Sequence, residues 1–312
     1  MTNTKAARTG TLARLRRDLC VNWRLYVLAL PAIVAIILFR YAPMYGLQIA
    51  FKNFRPIKGI WGSEWVGLKY FEQFVNSYQF WKLLTNTLTL SIYSIVANFP
   101  APILLALILH YTPNLHLKKF AQTVTYAPHF ISTVVLVGML NIFLSPSSGF
   151  VNSLIKALGF EPIYFFGEAG WFRHVYVFSD IWQSTGWGSI IYMAALTGVS
   201  PELHEAAIID GATKVQRIWH IDIPTIMPTM VILLIMSLSN IMSIGFEKTY
   251  LMQTNLNLST SEVISTYTYK IGLMQAEYSY STAIGLFNNV INFTLLIIVN
   301  WAARHLSGNS LW

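Results

Sequence analysis

The sequence predicts an all-α integral membrane protein with six transmembrane helices and a short polar helix-turn-helix between the fourth and the fifth. Composition is the first reason: of 312 residues, 54% are hydrophobic and 11% charged, where an average soluble domain is about a quarter charged. Spacing is the second, because apolar runs near the ~20 residues needed to cross a bilayer recur six times along the chain. Charge placement is the third. The net charge is +8, but Lys5, Arg8, Arg14, Arg16, Arg17 and Arg24 all precede the first apolar run. That pattern sets membrane orientation and contact with anionic lipid, and argues against nucleic acid as a partner. Cys20 is the single cysteine, so no intrachain disulfide and no thiolate metal cluster can form.

Residues 1–24 read as a basic, amphipathic, cytoplasmic segment in which Leu12, Leu15 and Leu19 share one helical face, as in a helix lying on a membrane surface. The basic-then-apolar order is that of a signal peptide, but the leader is long and no small-residue cleavage pattern follows, so the segment is expected to be retained. The first span covers 25–45, bent by Pro31, with Arg40 snorkelling outward or facing protein. A loop rich in aromatic residues, glycine and lysine follows over 46–80. The second span, 81–111, is long and kinked by Pro100 and Pro102. After a short turn with Lys118 and Lys119, the third span covers 120–144. A loop over 146–172, a fourth span over 173–196, a polar loop over 200–227 and a fifth span over 228–246 come next. A further stretch runs to 281, and the sixth span, 282–303, completes a membrane domain of 25–303 with a tail of 304–312. Six spans put both termini on one side. The basic N-terminus, Lys118, Lys119 and Arg304 favour the cytoplasm for that side, although basic residues divide almost evenly between the two.

The loop over 200–227 has its own signals. Ser200, Pro201 and Glu202 give a side-chain cap, a proline at the first helical position and an acid near the positive end of the dipole, so a helix should begin at Pro201. Ala206, Ala207, Ile208 and Ile209 continue it, and Gly211 permits a sharp turn. Thr213 and Gln216 have the form of a capping box for a second short helix. Pro224 and Pro228 are expected to end it and lead into the next span.

Glu205-Ala206-Ala207, then Gly211, then Ile221-Asp222-Ile223-Pro224 resembles the EAA loop of binding-protein-dependent ABC importer permeases, with Ile223 where that family usually has leucine. The resemblance implies the type I ABC importer permease fold, in which this loop is a coupling helix seated in a groove of a cytoplasmic ATPase. It implies that Glu205 pairs with a basic group of the ATPase, that Ala206 and Ala207 permit close approach, and that Gly211 makes the turn, with Ile221 and Pro224 closing the motif. The stretch before residue 55 resembles the carbohydrate branch, in particular the permeases that import oligosaccharides and polysaccharides such as alginate. The implied assembly is a heterodimer with a second homologous permease, two cytoplasmic ATPase subunits carrying ATP and Mg, an extracytoplasmic solute-binding protein and a carbohydrate substrate, all at a bacterial inner membrane. No cofactor is expected in this chain.

Polar side chains within the spans mark either a path or interhelical glue, because in hydrocarbon they need partners or water. Asp180, Gln183, Ser184 and Trp187 share one face of the fourth span, Asn240, Ser243 and Glu247 follow on the fifth, and Asn288, Asn289 and Asn292 lie on the sixth. Amides, carboxylates and indoles suit sugar hydroxyls and their CH faces, and the same residues serve equally as glue. Asp180 has the further option of pairing with a basic residue of a neighbouring helix. Glu247 and Lys248 read as an exposed pair at a helix end, and Tyr267, Tyr269, Tyr278 and Tyr280 as an aromatic belt. Lys52, Arg55, Lys58 and Lys69 outnumber Glu64 and Glu72 in the first loop, which would draw an acidic sugar polymer. No metal-binding His-Glu spacing, nucleophile elbow or phosphate loop is present, so the chain is not read as an enzyme. The competing classes are an ion-coupled secondary sugar transporter, which needs a dedicated intramembrane acid, and a membrane scaffold that transports nothing.

Overall fold

The computed structural model describes residues 11–308, 310 and 311, with side-chain surroundings from Cys20 onward except at 306 and 307. The side chains of the expected amphipathic face at Leu12, Leu15 and Leu19 lie outside the described set. The chain divides into two compact units, residues 1–67 and 68–312.

In the first unit, α1 (Thr11–Ile36) passes through a π-helical turn (Ile37–Tyr41) into a 3-10 helix (Ala42–Phe51), so the apolar helical stretch runs Cys20–Phe51, well beyond the expected 25–45. Its one non-helical residue is Asn22 (φ −105°, ψ 19°), whereas Pro31 sits inside the helix. The expected open loop is partly ordered: β1 (Lys52–Asn53) pairs antiparallel with β2 (Glu64–Trp65), closed by a 3-10 turn and the four-residue α2 (Gly59–Gly62). Ser63 Oγ accepts from Arg55 N and donates to Gly59 O, and the rings of Phe51 and Trp65 stack 5.6 Å apart across the pair.

The second unit is helical throughout its membrane portion. It opens with α3 (Lys69–Val75), then α4 (Phe80–Asn98) and α5 (Pro100–His110), which together form the long second span broken before Pro100. That break is where the sequence puts it, because proline lacks the N–H the helix interior needs but fits a first turn. The expected third span is strongly bent. α6 (Leu115–Tyr126) ends in a 3-10 turn at Ala127–Phe130, and α7 (Thr133–Phe143) leaves at 101° with Ser132 as its cap. Pro128 in the turn and an extended Ile131 prevent continuous hydrogen bonding through the corner.

After α8 (Phe150–Ala157) comes α9 (Ala169–Leu196), 28 residues long and the axis of the unit. Toward its start, Phe172, Tyr176 and Val177 pack with Leu90, Val137 and Met252. Toward its end, Tyr192 and Leu196 pack with Ile103, Ala106 and Ile226. Gly186 lets α6 come close: a Cβ there would fall 2.0 Å from the Thr125 carbonyl oxygen. Among the described residues, four helices are long and apolar enough to cross a membrane, five if the bent pair is one span. α9 is outside that set because it carries Arg173 and Asp180 along with several hydroxyl and glycine residues.

The loop over 200–227 holds α10 (Pro201–Ile209) and α11 (Lys214–Arg217), then a π turn (Ile218–Asp222) that runs straight into α12 (Ile223–Ser239). Pro224 therefore stands in the first turn of α12 and Pro228 inside it; neither ends a helix. The fifth apolar helix correspondingly runs Lys214–Ser239 and stops at Asn240, earlier at both ends than 228–246. The following stretch is not open chain. α13 (Phe246–Met252), α14 (Leu258–Ser261), α15 (Ile264–Tyr269) and a π turn fold back onto α4 and α9 before α16 (Tyr278–Ser307). Glu262 holds Lys82 at 3.2 Å and Lys270 at 3.3 Å, and buried Asn257 donates to the carbonyls of Phe166 and Met252. Tyr280, expected in an aromatic belt, is buried with its ring against Phe74 and Tyr70.

Candidate functional site

α10 starts at Pro201 as expected, but Ser200 makes no side-chain cap, and its carbonyl instead accepts from Leu203 N. Glu205 and Ala206 are exposed and Ala207 half-buried. Gly211 adopts φ +78°, with its N–H on Ile208 O and the Ala212 N–H on Ala207 O, the paired bonds of a Schellman turn. Thr213 and Gln216 make the reciprocal capping box at the start of α11. Ile221 packs beside the apolar cluster at the end of α9, and Pro224 is exposed.

The loop is fastened to the membrane helices by a residue inside the motif itself. Asp222 has no exposure; the Tyr111 hydroxyl donates to its Oδ2 at 2.6 Å, and His204 Nε2 lies 3.2 Å from its Oδ1. Burial, reinforced by the bond to the Asp222 carboxylate, pushes the Tyr111 phenol up to about 12, so it stays a donor. Arg217 stacks over the same ring at 5.7 Å. Tyr111 at the end of α5, His204 on α10 and Asp222 at the entry to α12 thus meet in one cluster that pattern reading passed over. Its signal was an acid set between two isoleucines.

A cleft of about 540 Å³ opens between α4, α5, α9 and α12. Of the expected path residues, Asp180, Ser184 and Asn240 line it, joined by Ser94, Asn98, Thr185 and Ser237, which pattern reading missed. Asp180 is also paired: the Lys248 Nζ sits 3.3 Å from its Oδ1, donates to Tyr176 O and lies over the Tyr176 ring. Lys248 is buried while Glu247 is exposed, so the two do not form the exposed pair expected. Burial pulls the Lys248 ammonium below the usual lysine range, and Asp180 pulls it back.

The remaining expected path residues stand outside this cleft. Gln183 donates to Ile131 O at 2.7 Å in the corner of the bent span, and Trp187 stacks on His129 with centroids 4.5 Å apart. Asn292 donates to Ser243 Oγ at 2.7 Å and accepts from Met242 N, Asn288 reaches the same hydroxyl at 3.5 Å, and Asn289 is exposed. Asn288 and Asn292 thus join the end of α12 to α16, the arrangement of interhelical glue. The nearby apolar pocket of about 410 Å³ against α7 and the start of α9 contains no charged side chain.

Residues 99–308 match the family described as the binding-protein-dependent transport system inner membrane component. The chain is 41% identical to protein LplB of Bacillus subtilis over 96% of its own length and 93% of the relative's. It is 42% identical, over 90% and 87%, to the polygalacturonan/rhamnogalacturonan transport system permease protein YteP of the same organism. Among solved structures it superposes with a TM-score of 0.88, at 39% identity over 96% of this chain and 100% of that one, on a chain of a bacterial alginate ABC transporter in complex with an alginate pentasaccharide-bound periplasmic protein. The helical architecture, the position of the loop and these likenesses agree: the chain belongs to the binding-protein-dependent transport system inner membrane components, the transport permeases of ABC importers, and is not an enzyme.

Proposed function

We propose that this chain is one of two homologous permease subunits of an ATP-driven importer for an oligosaccharide or polysaccharide, acidic polymers of the alginate and galacturonan kind included. In this reading α9 is the fourth of six spans, both termini are cytoplasmic, and α10 is the coupling helix. Two ATPase subunits would carry the ATP and Mg, and an extracytoplasmic binding protein would deliver the sugar. The observation that carries the reading is the state of α10. Its His204 lies 3.2 Å from buried Asp222 at the entry to a membrane helix, yet the helix leaves Leu203 54%, Ile208 55% and Ile209 86% exposed. Three large apolar side chains on a nine-residue helix call for a groove in another protein. ATP-driven closure of the partner ATPases would move that helix as a rigid lever, and the cleft would open to alternate sides.

An ion-coupled carrier needs a free intramembrane acid, and Asp180 is engaged by Lys248. The deciding experiment reconstitutes the importer in vesicles with labelled acidic oligosaccharide and compares wild type with Glu205→Lys. Wild type should take up sugar only with ATP, and the variant should insert normally while hydrolysis no longer drives uptake. Normal uptake by the variant, or wild-type uptake driven by a proton gradient without ATP, would refute the assignment.

A further inference from the structure

Three side chains from three elements converge beneath α10. His110 ends α5, His204 lies in α10, and Asp222 closes the π turn before α12; one candidate ligand atom of each lies within 4.8 Å of the other two. Asp222 is fully buried and the His204 side chain is 16% exposed. The closest pair carries the argument. His204 Nε2 and Asp222 Oδ1 stand 3.2 Å apart, yet neither makes a hydrogen bond, nor does His204 Nδ1. A buried carboxylate oxygen and an imidazole nitrogen this close, with no proton aligned between them, are a costly arrangement unless something else satisfies both. A tetrahedral ion ~2.05 Å from each would hold them ~3.3 Å apart. The other carboxylate oxygen is already fixed by the Tyr111 hydroxyl at 2.6 Å, the outer bond that orients a ligating carboxylate.

We propose that His110, His204 and Asp222 form a three-ligand site for a divalent transition-metal ion of the zinc or cobalt class, with water in the fourth position. Two imidazoles and one carboxylate suit these ions and not magnesium or calcium, which take all-oxygen sets. The ion ties α10 to the ends of α5 and α12, so it stiffens the loop where it joins the membrane helices. None of this depends on the assignment of α10 as a coupling helix, and a failed metal titration leaves that assignment standing.

The test uses the full chain in detergent, purified through a histidine-free tag, stripped with chelator and titrated with cobalt(II). Wild type should bind one equivalent with a visible d–d band, and zinc should displace it. His110→Gln and His204→Gln should each weaken binding by at least ~10-fold, and Tyr111→Phe by ~10-fold as the loss of an outer-shell partner. Asp222 is buried and its variants risk misfolding, so the decision rests on the histidine variants, whose thermal melts report folding. His129→Gln and His305→Gln, whose rings lie on Trp187 and Trp301, should bind as wild type does. Bound metal should also slow amide exchange in α10. Absence of a one-equivalent band in wild type, or an unchanged affinity in the His110→Gln/His204→Gln double variant, would overturn the proposal.

Discussion

Gly211 offers a perturbation whose cost separates cleanly into parts. Its φ is +78° and a Cβ built on it meets nothing within 4 Å, so substitution adds no clash with neighbours. What remains is the intrinsic penalty of a left-handed residue, about 1–2 kcal/mol for an ordinary L-residue, less for asparagine and more for a β-branched one. Two hydrogen bonds depend on that conformation, Gly211 N to Ile208 O at 3.0 Å and Ala212 N to Ala207 O at 2.8 Å. Ile208, Ile209, Asp210 and Thr213 are exposed and Ala212 half-buried, so the strain is relieved by opening the turn and not by unfolding the membrane bundle. A penalty of ~1.4 kcal/mol shifts the closed-to-open ratio tenfold.

In the proposed importer, Gly211→Asn, Gly211→Ala and Gly211→Val should therefore reduce ATP-driven uptake in that order, with valine lowest by at least ~10-fold. The melting temperature of the chain should barely move. Uptake and melting would be measured on the same reconstituted preparations. Valine as active as asparagine would show that the turn does not transmit the motion. A parallel fall in melting temperature would show that the strain is not local.

Three further outcomes follow from packing. Gly186→Ala places a methyl 2.0 Å from the Thr125 carbonyl oxygen, a backbone atom that cannot swing aside, so destabilisation at or above the usual 1–3 kcal/mol of overpacking is expected in thermal melts; an unchanged melt would refute the close approach of α6 and α9. Asp180→Leu strands the buried Lys248 ammonium and should cost toward the lower end of about 3–5 kcal/mol, because Asp180 is a third open to solvent; Asp180→Leu/Lys248→Met should recover most of it. No recovery would mean that the charges are not coupled. Gln183→Leu removes the donor to Ile131 O and should lower stability by about 1–3 kcal/mol without changing which sugars compete for uptake; an altered competition profile would return Gln183 to the path.

The existence of each long helix was legible because apolar length is a strong signal, and so were the details that depend on one residue's covalent structure. Pro100 broke the second span, Gly211 took the left-handed turn, and Thr213 with Gln216 formed a capping box. Helix ends were less legible. Pro224 and Pro228 read as stops, but a proline in a first turn costs no hydrogen bond, and the π turn ahead of it carries the chain through. The bend of the third span was invisible because its apolar pattern does not pause at Pro128. The helices over 246–274 were missed because none exceeds seven residues, too short to show an apolar period, and their packing mixes buried Met252, Val263 and Ile264 with buried Asn257 and Glu262.

The polar residues of the spans show why a stripe alone could not separate path from glue. Every break in a membrane helix frees backbone groups that have no water to meet, and here a side chain from elsewhere answers each of several breaks. Gln183 serves Ile131 at the corner of the bent span, Asn292 serves Met242 after α12, and Asn152 serves Leu144, Ser145 and Ile163. An amide committed in this way has little capacity left for a passing sugar. Ser94 Oγ and Asn98 Oδ1 on α4 lack a protein partner, but both atoms are buried beside the cleft and not presented to it. The distinction between the two roles is therefore one of hydrogen-bond saturation, a property of the folded neighbourhood and not of the residue type.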